Sequence, residues 1–286
     1  MCTPGQFTEV LFKTVEDFRV SMNAIAICAV AAGIEILTFE VMSNHLHFIL
    51  AGPEERCTWF FSLLKKRLKR FFSQSGRFVD LNRFEIELIP INDLQACRIE
   101  IVYVNRNGYL VNPNHTPFSY PWGAGNLYFM PPFPEDACTK WGDLTSREKE
   151  RVAKSRVPDI PDGFLIRDGL ILPQNYCAVE KGMSLFKDAR HYFSMVSKNY
   201  EAFSEVAKRL GDKVMLTDEE VFAALRQFSS RRFGDEKITM LPVQDKLELA
   251  RHMKLKYNAT DAQMQRMLRL DRSVIAELFG RVGLER

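Results

Sequence analysis

His45 and His47 stand one residue apart in the stretch Val41-Met42-Ser43-Asn44-His45-Leu46-His47-Phe48-Ile49-Leu50. Read as a β-strand, this stretch has period two. His45, His47 and Ile49 then share one face, and Leu46, Phe48 and Leu50 share the other, where a core would bury them. Two imidazoles one strand step apart can close on one metal ion, and the residues between them would hold that geometry. The same spacing also describes two hydrogen-bonded histidines on a half-buried strand, so the pair gains meaning only from the rest of the chain. Farther on, Tyr103 and Asn107 stand four residues apart, on one face of a helix. A phenol has a pKa near about 10 and needs help to attack a phosphate at neutral pH; a divalent ion that polarises and orients the phosphate is one form of help.

Two ordered blocks carry a resemblance. Met42-Ser43-Asn44-His45-Leu46-His47-Phe48-Ile49-Leu50 resembles the Met-x-Asn-His-x-His signature of single-tyrosine transposases, most closely the REP-associated tyrosine transposase branch of the HUH nucleases (His, hydrophobic residue, His). Tyr103-Val104-Asn105-Arg106-Asn107-Gly108, followed by Tyr120-Pro121-Trp122, resembles the family's Tyr-(Ile/Val)-x-x-Asn-Pro and its downstream Tyr-Pro-Trp. The likeness covers roughly the first 125 residues, and Gly108 stands where the family usually has proline. The resemblance implies a ferredoxin-like antiparallel sheet with the tyrosine on a late helix. It implies that Tyr103 is the nucleophile and that His45 and His47 are metal ligands. It adds Asn107 as a third, oxygen ligand, since a polar residue one turn after the tyrosine often serves so. Imidazole and amide oxygen with open water positions suit Mg²⁺ or Mn²⁺. The implied product is a 5′-phosphotyrosine link with a free 3′-hydroxyl, and rejoining needs no ATP. The implied partner is single-stranded DNA with a foldback hairpin beside the cleavage point, met by a monomer or homodimer in the bacterial cytoplasm, near the nucleoid.

The elements that must position these residues are also readable. Phe7–Phe12 is a short candidate strand. Glu16–Ala32 reads as a helix, with Phe18, Met22, Ile25 and Ala29 on one stripe and Gly33 as its C-cap. Ile34–Val41 is apolar enough for a central strand that meets the histidine strand after a turn near Ser43-Asn44. Phe84–Ile89 alternates as a strand. A helix follows from a cap at Asn92 or Asp93, packed by Leu94, Cys97 and Ile101, and Gly108 sits where it should stop. The order of elements predicts an α+β sandwich: an antiparallel sheet with helices on one face.

Arg56–Gly76 reads as a helix with Trp59, Phe60, Leu63, Leu64, Leu68, Phe71 and Phe72 in a wide apolar stripe. Its other face is basic, with Arg56, Lys65, Lys66, Arg67, Lys69 and Arg70, then Arg77 just beyond, and no acidic residue interrupts the interval. Solvated faces usually mix signs, so a single-sign face beside a nuclease-like strand reads as a phosphate-binding surface. Phe118, Tyr120 and Trp122 are candidates for base stacking, and Trp122 joins the DNA-binding set.

Residues 1–127 thus read as the catalytic domain and 128–160 as a proline-rich linker with a charged helix, opened by a capping box at Thr145-Ser146-Arg147-Glu148. Residues 161–286 read as a mainly helical region. It begins with a hairpin turning at Asp168-Gly169 and ends in a helix-turn-helix-like tail at 249–281, which has the pattern of a small helical bundle as well. Of 286 residues, 46% are hydrophobic, enough for a proper core. The net charge of +3 decides little, so its distribution matters more. Six scattered cysteines without a Cys-x-x-Cys pair read as reduced thiols in a cytosolic protein. No signal peptide shows, and the apolar run Ala24–Ala32 is too short for a membrane span. His115, His191 and His252 show no metal spacing. Two rival classes remain: a DNA-binding regulator that keeps the fold without catalysis, and a metal-dependent phosphoesterase that uses water and leaves Tyr103 unexplained.

Overall fold

The Thr14 hydroxyl accepts from the Asp17 amide and the Asp17 carboxylate accepts from the Thr14 amide, both at 3.1 Å, closing a capping box that starts the first helix. In this computed structural model that helix, α1, spans Val15–Ala32 and ends on Gly33 in the left-handed conformation. The structure describes residues 3, 10–111, 119–156, 158–198, 206, 216, 218–234 and 237–280. It is mixed α+β, with about 59% helix and two small antiparallel sheets. The chain divides into two compact units, residues 1–197 with 208–212, and residues 198–207 with 213–286.

In the first unit α1 is buried on two sides. Met22, Ile25, Cys28 and Ala29 join the main core, while Ala26 and Ile27 pack against Trp141, Ile166 and Ile171. One polar residue ties the second side down. The Asn23 amide donates to the carbonyls of Val152 (3.1 Å) and Gly169 (2.8 Å), and its oxygen accepts from the Ile171 amide at 2.8 Å. The main core is completed by the antiparallel pair β1 (Glu35–Val41) and β2 (Leu46–Ala51) and by α2 (Glu54–Gln74). The pair is joined through a turn in which the Met42 amide donates to His45 O at 2.9 Å. Phe39 lies opposite Phe48 and Val41 opposite Leu46, all buried in that core. A register shift between Ile36 and Thr38 keeps both Ile36 and Phe39 on the core side.

The outer edge of β1 is covered. The Val41 amide donates to Trp122 O (2.8 Å), the Ala124 amide to Phe39 O (3.0 Å) and the Ala178 amide to Ile36 O (2.8 Å). The helix α3 (Leu94–Val111) is capped by Asp93, whose carboxylate accepts from the Ala96 amide at 2.7 Å. Beyond it come β3 (Thr139–Lys140), α4 (Ser146–Ala153), β4 (Leu165–Arg167), β5 (Leu170–Ile171), α5 (Val179–Met183) and α6 (Ala189–Lys198). β4 and β5 form the expected hairpin, with Asp168 and Gly169 both at positive φ, and β3 adds a third strand to it.

Several expectations are corrected. Phe84–Ile89 is not a regular strand, although Phe84, Ile86 and Leu88 do turn inward; alternation reports which side chains are buried, and a strand also needs a pairing partner along its length. Helix α3 does not stop at Gly108 but runs on to Val111, and Leu94 stays 61% exposed. Trp59 leaves the apolar stripe of α2 and stands 55% exposed, because the buried face is Cys57, Phe60, Phe61, Leu64, Leu68 and Phe72. Of the expected strand Phe7–Phe12, residues 7–9 lie outside the described residues; the Leu11 and Phe12 amides both donate to Ser43 O, at 2.8 and 2.9 Å, without forming a strand. The sheet that carries the histidines has two strands among the described residues.

The second unit is helical where described: α7 (Asp218–Phe233), α8 (Val243–Tyr257), α9 (Asp261–Leu268) and α10 (Arg272–Gly280). Leu225, Leu249, Met253, Met264, Leu268 and Ile275 form its core. Thr260 and Gln263 cap α9 reciprocally, and the left-handed Arg269 ends it. No helix among the described residues is long and apolar enough to cross a membrane.

Candidate active site

The second face of the β1–β2 pair is polar, and α3 lies against it. His47 sits opposite Glu40, and Thr38 lies two residues back on the same strand. The Thr38 hydroxyl donates to Asn105 Oδ1, whose amide nitrogen in turn donates to the Tyr192 hydroxyl at 3.0 Å. The His47 ring meets the Tyr103 ring edge-on, with centroids 5.8 Å apart and planes at 86°. His45, in the turn just before β2, lies edge-on to His47 at 4.7 Å and 89°. The two imidazoles are therefore neighbours on the side of the sheet that faces α3. His45 Nδ1 lies 2.8 Å from Asn44 Oδ1; with the proton on Nδ1 in that hydrogen bond, the ring lone pair is on Nε2.

Asn107 is one turn beyond Tyr103 and buried, and its Nδ2 has no hydrogen-bond partner among the described residues. An amide with its ends exchanged would turn an oxygen lone pair to that place. Two imidazoles joined by an amide oxygen would be a donor set compatible with Mg²⁺ or Mn²⁺. Among the described residues no three His, Cys, Asp or Glu side chains gather as a metal group.

Glu40 is the residue that pattern reading missed. It is buried on β1, and its Oε2 accepts from the Gly108 amide on α3. Burial pushes its carboxyl well above the ordinary carboxylate range, and the bond from Gly108 only partly opposes this. Tyr120 lies beside it, donating to Val41 O at 2.7 Å, with its phenol pushed up by burial and then by Glu40. The signal in the sequence is an acid flanked by Phe39 and Val41 well inside a strand otherwise apolar beyond its first residue, Glu35, apart from Thr38. Glu100 and Arg106 on α3 are further buried charged residues that pattern reading passed over.

Tyr120 also accounts for Gly108. A Cβ at position 108 would lie 2.1 Å from Tyr120 Cδ1, and proline would in addition remove the amide that Glu40 receives. This packing leaves room for glycine alone at position 108, where the resembling family usually has proline.

Glu40→Gln keeps an acceptor for Gly108 and removes the buried acid. Folded Glu40 holds its proton above the unfolded value of about 4.3, so its stabilising influence is greatest below that pH and is lost as pH rises toward the folded pKa. Urea midpoints measured from pH 4.5 to 8 should therefore move in favour of the glutamine variant as pH rises. Parallel profiles for the two proteins would mean that Glu40 is not the group responsible.

The basic residues divide. Arg56 donates to Gly33 O at 3.0 Å, and Lys65 pairs with Glu85 at 2.6 Å. Arg67 donates to Ala153 O and Ser155 Oγ, at 3.0 and 2.8 Å. Arg77 pairs with Asp17 at 2.8 Å, donates to Leu11 O at 2.7 Å and covers the Phe72 ring. Trp122 stacks on Phe18 at 5.2 Å and is half-buried. Lys66, Lys69 and Arg70 remain exposed, on a stripe with Trp59, Ser62 and Ser73. Arg56, Lys65, Arg67 and Arg77 thus hold neighbouring segments, while Lys66, Lys69 and Arg70 face outward. Phe118 and His115 lie outside the described residues.

No family model, curated protein or solved structure matches this chain. The case for chemistry at this site therefore stands on the His45–His47–Tyr103 contacts, the Asn107 amide and the sequence blocks that carry them.

Proposed function

We propose that this protein nicks and rejoins single-stranded DNA through Tyr103, with a divalent ion held by His45, His47 and Asn107. The observation that carries the reading is the edge-on contact of Tyr103 with His47, itself edge-on to His45, on one polar face of a strand pair. Tyr103 Oη attacks the phosphorus in line and its proton passes to solvent. The P–O3′ bond breaks, the 3′ oxygen takes up a proton, and the strand is left on the enzyme as a 5′-phosphotyrosine. Reversal by another 3′-hydroxyl rejoins DNA without ATP, since the ester energy is kept. A bound Mg²⁺ or Mn²⁺ supplies polarisation of the scissile phosphate. Asn44 orients His45, and Glu40 ties the turn of α3 that bears Asn107 to β1. The ferredoxin-like arrangement and the hairpin substrate belong to the same proposal. So does a helix-turn-helix role for α9 and α10, supported by their lengths and short connection.

The exposed stripe of Lys66, Lys69 and Arg70, with Trp59 on the same face, suits a strand's phosphates and a stacked base. Changing Lys66 and Lys69 to alanine should flatten the slope of log affinity against log salt by about one to two units. An unchanged slope would leave the stripe as solvated surface.

A second reading has its own observation. Tyr103 is 1% exposed, so a phosphate reaches it only after the site opens, and a regulator that binds DNA without cutting needs no such opening. Incubation with labelled hairpin single strands and Mn²⁺, followed by a denaturing gel, separates the possibilities. A covalent band supports the transposase reading, cleavage without a band supports a water-using phosphoesterase, and neither supports the regulator.

A further inference from the structure

Helices α1 and α2 leave a cleft of about 220 Å³ between them, away from the polar face of the sheet. Its walls are apolar, with Ala24 and Ala31 on α1 and Leu63 and Phe71 on α2, and Cys28 lies at its floor. Small α1 side chains opposite larger α2 ones leave the space unfilled. At roughly 30 Å³ per water it would hold about seven waters, few of which would find polar partners against such walls. Lys66, Arg67, Arg70 and Lys154 also line it, and none of its described lining residues is acidic.

The charge is the informative part. Lys154 has a carboxylate partner, Glu16, at 2.8 Å. Arg67 is half-buried, and its described acceptors are a carbonyl and a hydroxyl, both neutral. Lys66 and Arg70 also lack a carboxylate partner among the described residues. A partly desolvated guanidinium beside two further cations is unfavourable unless an anion offsets it.

We propose that this cleft binds a small amphiphilic monoanion, a carboxylate with a short unbranched apolar tail, its head on Arg67 between Lys66 and Arg70 and its tail between α1 and α2. The walls select for an apolar tail, the cations select against amines, and the volume selects against long chains. The inference shares Lys66 and Arg70 with the proposed phosphate stripe but needs neither Tyr103 nor a bound metal ion.

The test uses the full chain, with octanoate, octanol, octylamine and acetate as probes, by calorimetry and by unfolding temperature. Octanoate should bind saturably at sub-millimolar concentration and raise the unfolding temperature with log concentration. Octanol should bind at least tenfold more weakly, and octylamine and acetate should give no saturable signal. Ala31 is exposed at the cleft, so Ala31→Phe should plug it and abolish octanoate binding while the protein stays folded. Arg67→Met should weaken binding tenfold or more. If that variant fails to fold, the doubly substituted Lys66→Met/Arg70→Met protein, altered only at exposed positions, should show a loss of at least threefold. No octanoate binding to the wild type up to millimolar concentration would overturn the proposal. So would equal binding of octanoate and octanol, or undiminished binding by Ala31→Phe.

Discussion

Tyr103→Phe is expected to remove covalent attachment to DNA and strand cleavage together, while leaving the protein folded. Phenylalanine keeps the ring that packs on His47, so only the hydroxyl and its interactions are lost, a change of about 1 kcal/mol in stability. Salt-dependent DNA affinity should stay near wild type, because the exposed cations of α2 are untouched. His45→Ala should also abolish cleavage, but for a different reason: it removes a proposed ion ligand, so any rise in unfolding temperature on adding Mn²⁺ should shrink as well. The two variants are distinguished by running the covalent-adduct gel beside a Mn²⁺ thermal titration. If Tyr103→Phe still forms the band, Tyr103 is not the nucleophile and Tyr109 or Tyr120 takes its place as candidate. If the wild type forms no band on DNA flanking its own gene, the regulator reading gains.

Gly108→Pro should be among the most damaging single changes in the first unit, even though proline is what the resembling family usually carries there. Position 108 lies inside α3, where proline costs about 3 kcal/mol or more through the lost helical bond and ring clash. Here it would also drive a side chain into the Tyr120 ring and deprive Glu40 of its amide donor. Together these point to a loss of about 4 kcal/mol or more, on the order of 10 °C in unfolding temperature for a unit of this size. Gly108→Ala should show the steric part alone, because it keeps the amide, and should fall between wild type and proline. A Gly108→Pro protein that melts with the wild type would show that Tyr120 is not seated against α3 as described.

Much of the local architecture is legible in the sequence because local physics decides it. The capping box at Thr145, the Gly33 stop and the Asp168-Gly169 turn depend on neighbours a few residues away. So does the alternation that places His47 away from Phe48. What local pattern leaves open is decided by distant partners. Glu40 gains meaning only once the turn at Met42–His45 sets the register that brings it opposite His47. Arg67 and Arg77 look like solvent-facing cations until Ala153, Ser155 and Asp17 are brought beside them. Phe84–Ile89 has the alternation of a strand without a strand's pairing, and Trp59 sits one residue, or about 100°, off the buried line through Phe60. Gly108 is the clearest case: the reason for a glycine is a ring twelve residues on, which no spacing rule near Tyr103 announces.

The covering of β1 along its outer edge bears on how this protein can be cut. Trp122 and Ala124 take up hydrogen-bonding groups of Val41 and Phe39, but Ile36 is served by Ala178, more than fifty residues beyond the Tyr-Pro-Trp block. A fragment ending near Leu127, the end of the family-like portion, would leave that stretch of strand with unsatisfied amide and carbonyl groups. It would also strip the hairpin held by Asn23 from α1, baring Ala26 and Ile27. An open edge beside bare apolar surface is a template for self-association, so the smallest well-behaved piece bearing His45, His47 and Tyr103 reaches at least past Ala178.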